Sequence, residues 1–214
     1  ILEKSGKGLQ KVKVSGGGRC NVTHACFDPK DLIEYYPRGK KELLGPFHTF
    51  MTGDTIEWFE NKGIPLKIED DMRMFPESNS SQTIIDCFVN SAESAGVNVL
   101  LNENVINIDK SEGQYSIETK HSHFKADSLV IASGGTTKIW EIIKKLGHHI
   151  IAPVPSLFTF NIKDLILDDI PGISVPDAHI SIEDGLFESN GPLLITHSAL
   201  SPPRILQFSS LAAI

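Results

Sequence analysis

Three consecutive glycines at positions 16 to 18 constrain the local fold more than any other feature of this 214-residue chain. They lie within the string Ser15-Gly16-Gly17-Gly18-Arg19-Cys20-Asn21. Consecutive glycines permit positive φ angles and a close approach of the backbone to a ligand, and successive N–H groups can form an anion-binding concavity. Arg19 adds a planar donor fork that suits a phosphate or an electron-rich ring, and Asn21 adds an amide. The alternative is a flexible loop with an incidental arginine.

An apolar run leads directly into a second glycine-rich turn. The run covers residues 129–132, and the turn is Ser133-Gly134-Gly135. This pattern predicts a buried parallel strand, and ligands of open α/β sheets lie outside the carboxyl ends of such strands. An ordinary strand-to-helix turn explains the pattern equally well. Two glycine-rich turns in one chain favour a shared ligand that carries phosphate groups.

The first residues, Ile1-Leu2-Glu3-Lys4, are typical of the end of a strand. Dinucleotide-binding folds hold ribose hydroxyls with an acidic residue at such a position, about 20 residues after a GxGxxG turn. No such turn precedes Glu3 in this sequence. A solvated charge at the strand end is therefore at least as good an explanation of Glu3 alone.

Hydrophobic periodicity and capping residues predict a chain of mixed helices and strands. Helices are expected near residues 29–35, 40–49, 54–63, 82–95 and 137–146, and strands near 97–101, 105–108, 115–119 and 128–132. Asp28 is the expected N-cap of the first helix, before Pro29, and Ser81 is the expected N-cap of the helix at 82–95. Residues 4–18 are expected to be a loop with an extended piece at 12–15, and residues 70–81 a second loop. Beyond Pro155 the sequence is β-rich, and Asp184-Gly185 is typical of a hairpin turn. A domain boundary is expected near residues 151–155.

Bulk composition excludes several classes of function. The net charge is −7 and no basic stripe is present, which argues against nucleic acid as a partner. No apolar run approaches the roughly 20 residues that span a bilayer, and no signal peptide is visible. Three scattered cysteines suit a reducing compartment, so we expect a cytoplasmic protein without membrane partners. The oligomeric state is open.

Two further features have simpler explanations than a functional site. His121 and His123 could bind a metal, but no other ligand residue lies at a suitable spacing, so an exposed hairpin is favoured and no metal site is predicted. Cys20 adjoins Arg19 and the glycines, which could lower a thiol pKa, but core packing is the default explanation.

The string from Lys11 to Thr23, Lys-Val-Lys-Val-Ser-Gly-Gly-Gly-Arg-Cys-Asn-Val-Thr, resembles a bacterial family. This is the family of NAD(P)/FAD-dependent oxidoreductases that includes the aminoacetone-oxidase-family FAD-binding proteins, with bile-acid-reducing flavoproteins of gut bacteria as related members. The resemblance extends over the whole chain and includes Arg73-Met74-Phe75-Pro76, Ala132-Ser133-Gly134-Gly135 and the segment from Pro155 to Phe160.

The resemblance implies an α/β fold, namely a partial FAD/NAD(P)-binding Rossmann-like domain over residues 1–151 and the start of a β-rich insert domain over 152–214. The first domain would lack its N-terminal strand and GxGxxG turn, and the second would be truncated at its C-terminus. The implied cofactor is FAD, with NAD(P)H as the reductant. The implied FAD-binding residues are Glu3 at the adenosine ribose, Lys4, Lys11, the string Ser15, Gly16, Gly17, Gly18, Arg19, Cys20 and Asn21 along the pyrophosphate and flavin, Val105 at the adenine, and Ser133, Gly134 and Gly135 closing over the cofactor.

The resulting functional hypothesis is a flavoprotein oxidoreductase that transfers a hydride to or from a small-molecule substrate through bound flavin. No catalytic side chain is assigned. One alternative is a nucleotide- or FAD-binding module that keeps the fold without redox turnover. A third hypothesis is an RNA-modifying flavoprotein, since related flavin folds act on tRNA, but the net charge of −7 and the lack of a basic stripe argue against it.

Overall fold

The computed structural model describes residues 1–36, 38–153, 160–161, 170–181, 188–195 and 199–201. The chain divides into two compact units, Ile1–Ile150 and Ile151–Ile214. All residues predicted to bind the cofactor lie in the first unit.

The first half of the larger unit is a small sheet packed against helices. In chain order its elements are α1 (Gln10–Val14), a 3₁₀ turn (Ser15–Gly18), β1 (Thr23–His24), α2 (Pro29–Leu32), a second 3₁₀ turn (Ile33–Tyr35), α3 (Lys40–Thr49), α4 (Thr52–Glu60), β2 (Leu66–Ile68), β3 (Arg73–Pro76) and α5 (Ser81–Ser94). The strands lie in the order β1-β3-β2, and both pairings are antiparallel. Helix α4 contacts β1 and β2, and α5 contacts β3.

The second half is an antiparallel meander followed by one helix. Its elements are β4 (Val105–Ser111), β5 (Gln114–Thr119), β6 (His123–Ala126) and α6 (Thr137–Lys145). Ile142 of α6 is buried against Ile108 and Ile117 of the meander. This apolar contact joins the helix to one face of the sheet.

A second core of the larger unit lies beneath the glycine string. Cys20 is buried there with Phe59, Ile84 and Cys87. The hydroxyl of Ser81, at the start of α5, donates to the main-chain oxygen of Lys13 at 2.8 Å and so fixes the end of α1. The core therefore holds both ends of the glycine turn.

The predicted helices are present, with small shifts at their first residues. Asp28 caps α2 as expected, because its carboxylate accepts the N–H of Lys30. Helix α4 begins two residues before the predicted Asp54, which occupies the third helical position and accepts the N–H of Met51. Ser80, rather than the predicted Ser81, caps α5.

The extended piece predicted at residues 12–15 is wrong, because residues Gln10–Val14 form α1. In a strand, Val12 and Val14 would point to the same face. In the helix they separate, so that Val12 packs against the core around Cys20 while Val14 is exposed. The helical conformation thus buries Val12 and leads the chain into the glycine turn.

The loop predicted at residues 70–81 is also wrong in its centre. Residues Arg73–Pro76 form β3, the middle strand of the sheet, and Met74, Phe75 and Pro76 are buried. Pro76 is tolerated because β1 pairs only with Arg73 and Met74, so that no hydrogen bond to β1 requires the missing N–H at position 76. The polar residues on both sides mask this short buried strand in the sequence.

The predicted buried parallel strand at residues 128–132 is not formed, and neither is the full strand predicted at 97–101. Within residues 97–101, Leu100 forms an isolated parallel β-bridge with Leu2. Val130 is 88 % exposed, which contradicts the predicted burial. A strand requires a neighbour for its backbone N–H and C=O groups, and no described strand lies beside residues 128–132.

The smaller unit is an antiparallel sheet in its described part. Its strands are β7 (Phe160–Asn161), β8 (Ser174–Ser181), β9 (Glu188–Ile195) and β10 (Ala199–Ser201), in the order β7-β10-β9-β8. Strands β8 and β9 pair as predicted, with Ser181 opposite Glu188. The predicted turn at Asp184-Gly185 lies outside the described residues.

Candidate functional site

The glycine turn adopts the left-handed backbone that its sequence predicts. The φ angles of Gly16, Gly17 and Gly18 are 54°, 68° and 85°. The main-chain N–H of Cys20 donates to the oxygen of Ser15 at 3.0 Å and closes the turn. Only glycine adopts such a succession of positive φ angles at low cost. The turn is therefore an ordered structure rather than a flexible loop.

One glycine of the turn is also required by space. A Cβ atom at Gly16 would lie 2.7 Å from the main-chain nitrogen of Asn21 and 3.0 Å from the Phe75 ring. At Gly17 and Gly18 a Cβ atom would meet nothing within 4 Å. The inner side of the turn, at Gly16, therefore packs against β3. The outer side, at Gly17 and Gly18, faces open space.

Arg19 is held by two neighbours. Its Nη1 and Nη2 atoms donate to the two carboxylate oxygens of Glu69, at 2.5 Å and 3.3 Å. Its Cζ atom lies 4.0 Å from the centroid of the Phe75 ring, a cation–π contact. About a third of the Arg19 side chain, 34 %, remains exposed. The guanidinium is therefore fixed in position at the edge of the turn.

A second arginine, Arg73, lies close to Glu69. Arg73 Nη2 lies 3.8 Å from Glu69, and Arg73 Nε donates to Asp71 at 2.7 Å. The hydrogen bond from Arg19 keeps the pKa of Glu69 below its ordinary value of 4.5, with the charges of Arg19 and Lys67 as further causes. Two carboxylates and two guanidinium groups thus form a cluster of ion pairs beside the turn, and the charge of Lys67 also acts on this cluster.

The remaining residues of the string have mainly structural contacts. The Ser15 hydroxyl donates to the oxygen of Val12 at 2.8 Å. Cys20 is buried in the core with a φ of 62°, so its thiol packs against apolar side chains rather than facing the turn. The amide nitrogen of Asn21 is oriented to donate to the oxygens of Thr23 and Met74.

Helix α1 brings the two glycine-rich turns into proximity. The Nζ atom of Lys11 lies 3.0 Å from the position that a Cβ atom would take at Gly134. Ser133, Gly134 and Gly135 are all exposed, and the oxygen of Gly134 accepts the N–H of Thr136. The ammonium group of Lys11 therefore lies at the second glycine-rich turn, while helix α1, which carries Lys11, leads into the first.

Glu3 is held in place by Ser5. Its Oε1 atom accepts both the hydroxyl and the N–H of Ser5, at 2.6 Å and 2.8 Å, and these bonds lower the pKa of Glu3. Its main-chain oxygen accepts the N–H of Glu103, two residues before Val105. Val105 is partly buried at the start of β4, opposite Thr119. The structure thus brings Glu3 and the Val105 region together, while Lys4 is exposed.

These residues fit a dinucleotide such as FAD. An open backbone at Gly17 and Gly18 can approach a ligand, and the Lys11 ammonium at Gly134 suits a phosphate. Oε2 of Glu3 has no partner among the described hydrogen bonds and can accept a ribose hydroxyl. Arg19 supplies a flat cationic surface.

A cavity of about 510 Å³ next to β1 has no counterpart in the sequence-based prediction. Its lining includes His24, Phe27, Asp31, Glu34, Tyr35 and Met72. The His24 Nδ1 atom is buried without a hydrogen-bond partner in the described structure, and its ring lies 4.8 Å from that of Tyr35. Phe27 and Tyr35 are more than half exposed, a property that sequence periodicity does not reveal.

His121 and His123 are exposed at the β5–β6 hairpin, and no cluster of metal-binding side chains exists among the described residues. Within the same residues, every helix is too short or too polar to cross a membrane.

Comparison with known proteins identifies the family of the chain. The family described as HI0933-like protein Rossmann domain matches residues 1–188 of the chain. The chain belongs to the HI0933-like family. Because this family is of the FAD-binding oxidoreductase type, the predicted family resemblance is confirmed. The predicted α/β, Rossmann-like fold class is confirmed with it.

Curated relatives of this HI0933-like chain include two ribosomal RNA dihydrouridine synthases. The one from Escherichia coli (strain K12) is 28 % identical over 98 % of this chain and 54 % of its own length. The one from Haemophilus influenzae is 24 % identical over the same shares of the two proteins. A 3-dehydro-bile acid delta(4,6)-reductase from Clostridium scindens is 23 % identical over 98 % of this chain and 53 % of its own length. The chain spans about half the length of the curated relatives it matches.

Proposed function

We propose that the full-length protein is an FAD-binding oxidoreductase that reduces a carbon–carbon double bond conjugated to a carbonyl group. The observation that carries the proposal is the ordered glycine turn with positive φ angles at Gly16, Gly17 and Gly18, beside a fixed arginine, in a Rossmann-family chain. This combination provides both a backbone that a cofactor can approach and a flat cation next to it.

The reaction class is supported by what the names of the relatives have in common. Dihydrouridine differs from uridine by saturation of a ring double bond that is conjugated to a carbonyl. A delta(4,6)-reductase of a 3-dehydro bile acid acts on double bonds conjugated to a ketone. Bound FAD would supply the hydride chemistry, while the protein supplies binding, orientation and electrostatics.

We assign each part of the site a role toward the cofactor. The ionised Glu3 carboxylate would accept the ribose hydroxyls, and the main chain at Val105 would contact the adenine. The Lys11 ammonium would neutralise a phosphate beside the turn Ser133–Gly135. The outer side of the first glycine turn would face the rest of the cofactor.

NADH or NADPH is proposed as the reductant, and a small molecule as the substrate, in the cytoplasm. The expectation that RNA is not a partner stays a prediction, and two relatives named for ribosomal RNA make it worth testing. A filter-binding titration of the full-length protein with RNA at two salt concentrations tests it, since phosphate contacts weaken steeply as salt rises.

The first experiment is the visible absorption spectrum of the purified full-length protein, with release and identification of the chromophore. Flavin bands with FAD released are the expected result. The reduced flavin should then be reoxidised by a conjugated enone and not by the corresponding saturated ketone. A protein that stays colourless after incubation with FAD contradicts the proposal.

A non-catalytic FAD- or nucleotide-binding module is the alternative outcome. Such a protein would retain FAD, but no tested pairing of NADH or NADPH with a conjugated acceptor would give turnover. That result would preserve the binding assignment and remove the proposed reaction.

A further inference from the structure

The cavity next to β1 is formed by residues other than those assigned to the cofactor. Most of its wall comes from residues 24–35, which include β1, α2 and the second 3₁₀ turn, and the remainder is Met72 from the connection between β2 and β3. Its volume of about 510 Å³ lies within the range of small-molecule sites. The chemistry of the wall therefore indicates which ligand the cavity would take.

Aromatic rings and a thioether form the apolar part of the wall. The rings are those of His24, Phe27 and Tyr35, and the thioether is that of Met72. The Tyr35 ring lies 4.8 Å from the His24 ring at an interplanar angle of 49°. Phe27 is 57 % exposed and Tyr35 is 59 % exposed, so a ligand can reach both rings. Because the faces of aromatic rings attract cations, several rings around one cavity favour an organic ammonium ion.

Met72 is held at the cavity by its main chain. Its φ angle is 66°, a left-handed conformation that is uncommon for residues other than glycine. Its N–H donates to the main-chain oxygen of Glu69 at 2.8 Å, and its own oxygen accepts the N–H of Ala25 at 2.7 Å. These two bonds connect the β2–β3 turn to the residue that follows β1. This side of the wall is therefore formed when the domain folds, which lowers the cost of binding a ligand.

The charged side chains of the wall are acidic. They are Asp31 and Glu34, and none of the described residues that line the cavity is a lysine or an arginine. Glu34 pairs with Lys40, whereas Asp31 has no ion pair in the part of the chain that the structure describes. The unpaired carboxylate of Asp31 attracts a cation and repels a phosphate or carboxylate group.

The His24 ring contributes a nitrogen without a partner. Its Nδ1 atom is buried and makes no hydrogen bond to any described residue. Buried polar atoms in folded proteins nearly always have a partner. A ring nitrogen of neutral histidine can accept a hydrogen bond, and an ammonium group carries only donors. The unpaired nitrogen thus favours the same ligand chemistry as the aromatic rings and the carboxylate.

We propose that the cavity next to β1 binds an organic cation, namely a small primary ammonium compound with an apolar body. The rings of Phe27 and Tyr35 contact the cation and its apolar body, Asp31 supplies the opposite charge, and His24 accepts an ammonium hydrogen. The proposal concerns binding alone and assigns no chemical step to the cavity. It goes beyond the proposed function and does not depend on it.

The test is a titration of the full-length protein with phenethylamine, a cation that carries an aromatic ring, followed by the NMR signals of the ligand. Phenethyl alcohol has the same ring without the charge and is the control ligand. The amine should bind at least about tenfold more tightly than the alcohol. Equal affinities for the two compounds overturn the proposal, and so does an amine that shows no binding at millimolar concentration.

Variants of Tyr35 test the contribution of the aromatic ring. Tyr35→Leu keeps an apolar side chain but loses the ring, and the Kd for the amine should rise about threefold to tenfold. Tyr35→Phe keeps the ring and should bind the amine within about twofold of the wild type. Phe50→Leu is the matched control, because Phe50 is 55 % exposed and does not line the cavity. Equal affinities of Tyr35→Leu and Phe50→Leu overturn the proposal.

Asp31→Asn tests the contribution of the charge. It should weaken binding of the amine about twofold to fivefold and leave binding of the alcohol unchanged. Glu42→Gln is the matched control, since Glu42 is likewise an exposed acid in the first turn of a helix but lies outside the cavity lining. The same loss in both variants overturns the proposal.

The FAD content of each variant, measured by visible absorption, separates this proposal from the proposed function. It should equal that of the wild type, because none of the altered residues is assigned to the cofactor. A variant that loses FAD together with the amine shows that the cavity belongs to the cofactor site, which overturns the proposal. Selective binding of the amine by a protein that holds no FAD supports the cavity and contradicts only the proposed function.

Discussion

Arg19 and Glu69 are fifty residues apart in the chain, yet both terminal nitrogens of the arginine donate to the carboxylate of the glutamate. The pair joins the glycine turn to the hairpin connection between β2 and β3. The position of Arg19 at the turn therefore depends on a tertiary contact with a residue outside the turn.

The stability contribution of this ion pair should depend on pH. Because Arg19 lowers the pKa of Glu69 in the folded protein, the contribution is fully present above the ordinary value of 4.5 and is lost as pH falls through the folded value. The difference in Tm between the wild type and Glu69→Gln should be constant near neutral pH and should shrink below about pH 4.5. Thermal unfolding at a series of pH values measures this, and a difference that grows on acidification would contradict it.

Two adjacent glycine positions should respond unequally to alanine. Both Gly16 and Gly17 have positive φ angles, so either substitution should cost about 1–2 kcal/mol of backbone strain. Only Gly16→Ala adds contacts of 2.7 Å and 3.0 Å with Asn21 and Phe75. We expect it to destabilise the protein by at least about 1 kcal/mol more than Gly17→Ala in denaturant unfolding. Equal losses would show that the inner side of the turn is not tightly packed.

Ser81→Ala should loosen the helix that precedes the glycine turn. The Ser81 hydroxyl is buried and donates to the main-chain oxygen of Lys13. Its removal leaves that oxygen without this donor, at a cost of about 1 kcal/mol or more. Ser78→Ala is the matched control, since the Ser78 hydroxyl is exposed and contacts the Thr83 hydroxyl and the N–H of Ser80 rather than helix α1. A smaller effect at position 81 than at position 78 would refute the anchoring role.

Lys11→Met should weaken FAD binding by about tenfold to a hundredfold, because a charge-assisted contact to phosphate contributes roughly 1.5–3 kcal/mol. Lys7→Met removes an exposed charge nearby and should leave the Kd within about twofold of the wild type. Isothermal titration of the full-length apoprotein with FAD distinguishes the two variants. Identical affinities for both would exclude a phosphate contact at Lys11.

The sequence predicted helices well where capping residues and apolar spacing acted together. Asp28 and Pro29 begin α2 as expected, and α6 spans nearly the predicted residues. Such signals are local, since a cap side chain bonds to the backbone only two or three residues away. The glycine string was likewise recognisable because its left-handed backbone depends on residue type alone.

Strands were less predictable because their pairing depends on distant residues. Strand β3 is short and flanked by polar residues, and its burial arises from its position between β1 and β2. Residues 128–132 have the composition of a buried strand, but no described strand pairs with them. The contacts of Arg19 with Glu69 and Phe75 could not be predicted either, since neither partner lies near Arg19 in the chain.

Burial of Cys20 connects the candidate site to the hydrophobic core. The residue that closes the glycine turn is packed against Phe59, Ile84 and Cys87. The turn therefore reaches its conformation when the domain folds, and the proposed cofactor need not supply the free energy to order it. Mutations deep in this core, far from any ligand atom, should for this reason change affinity together with melting temperature.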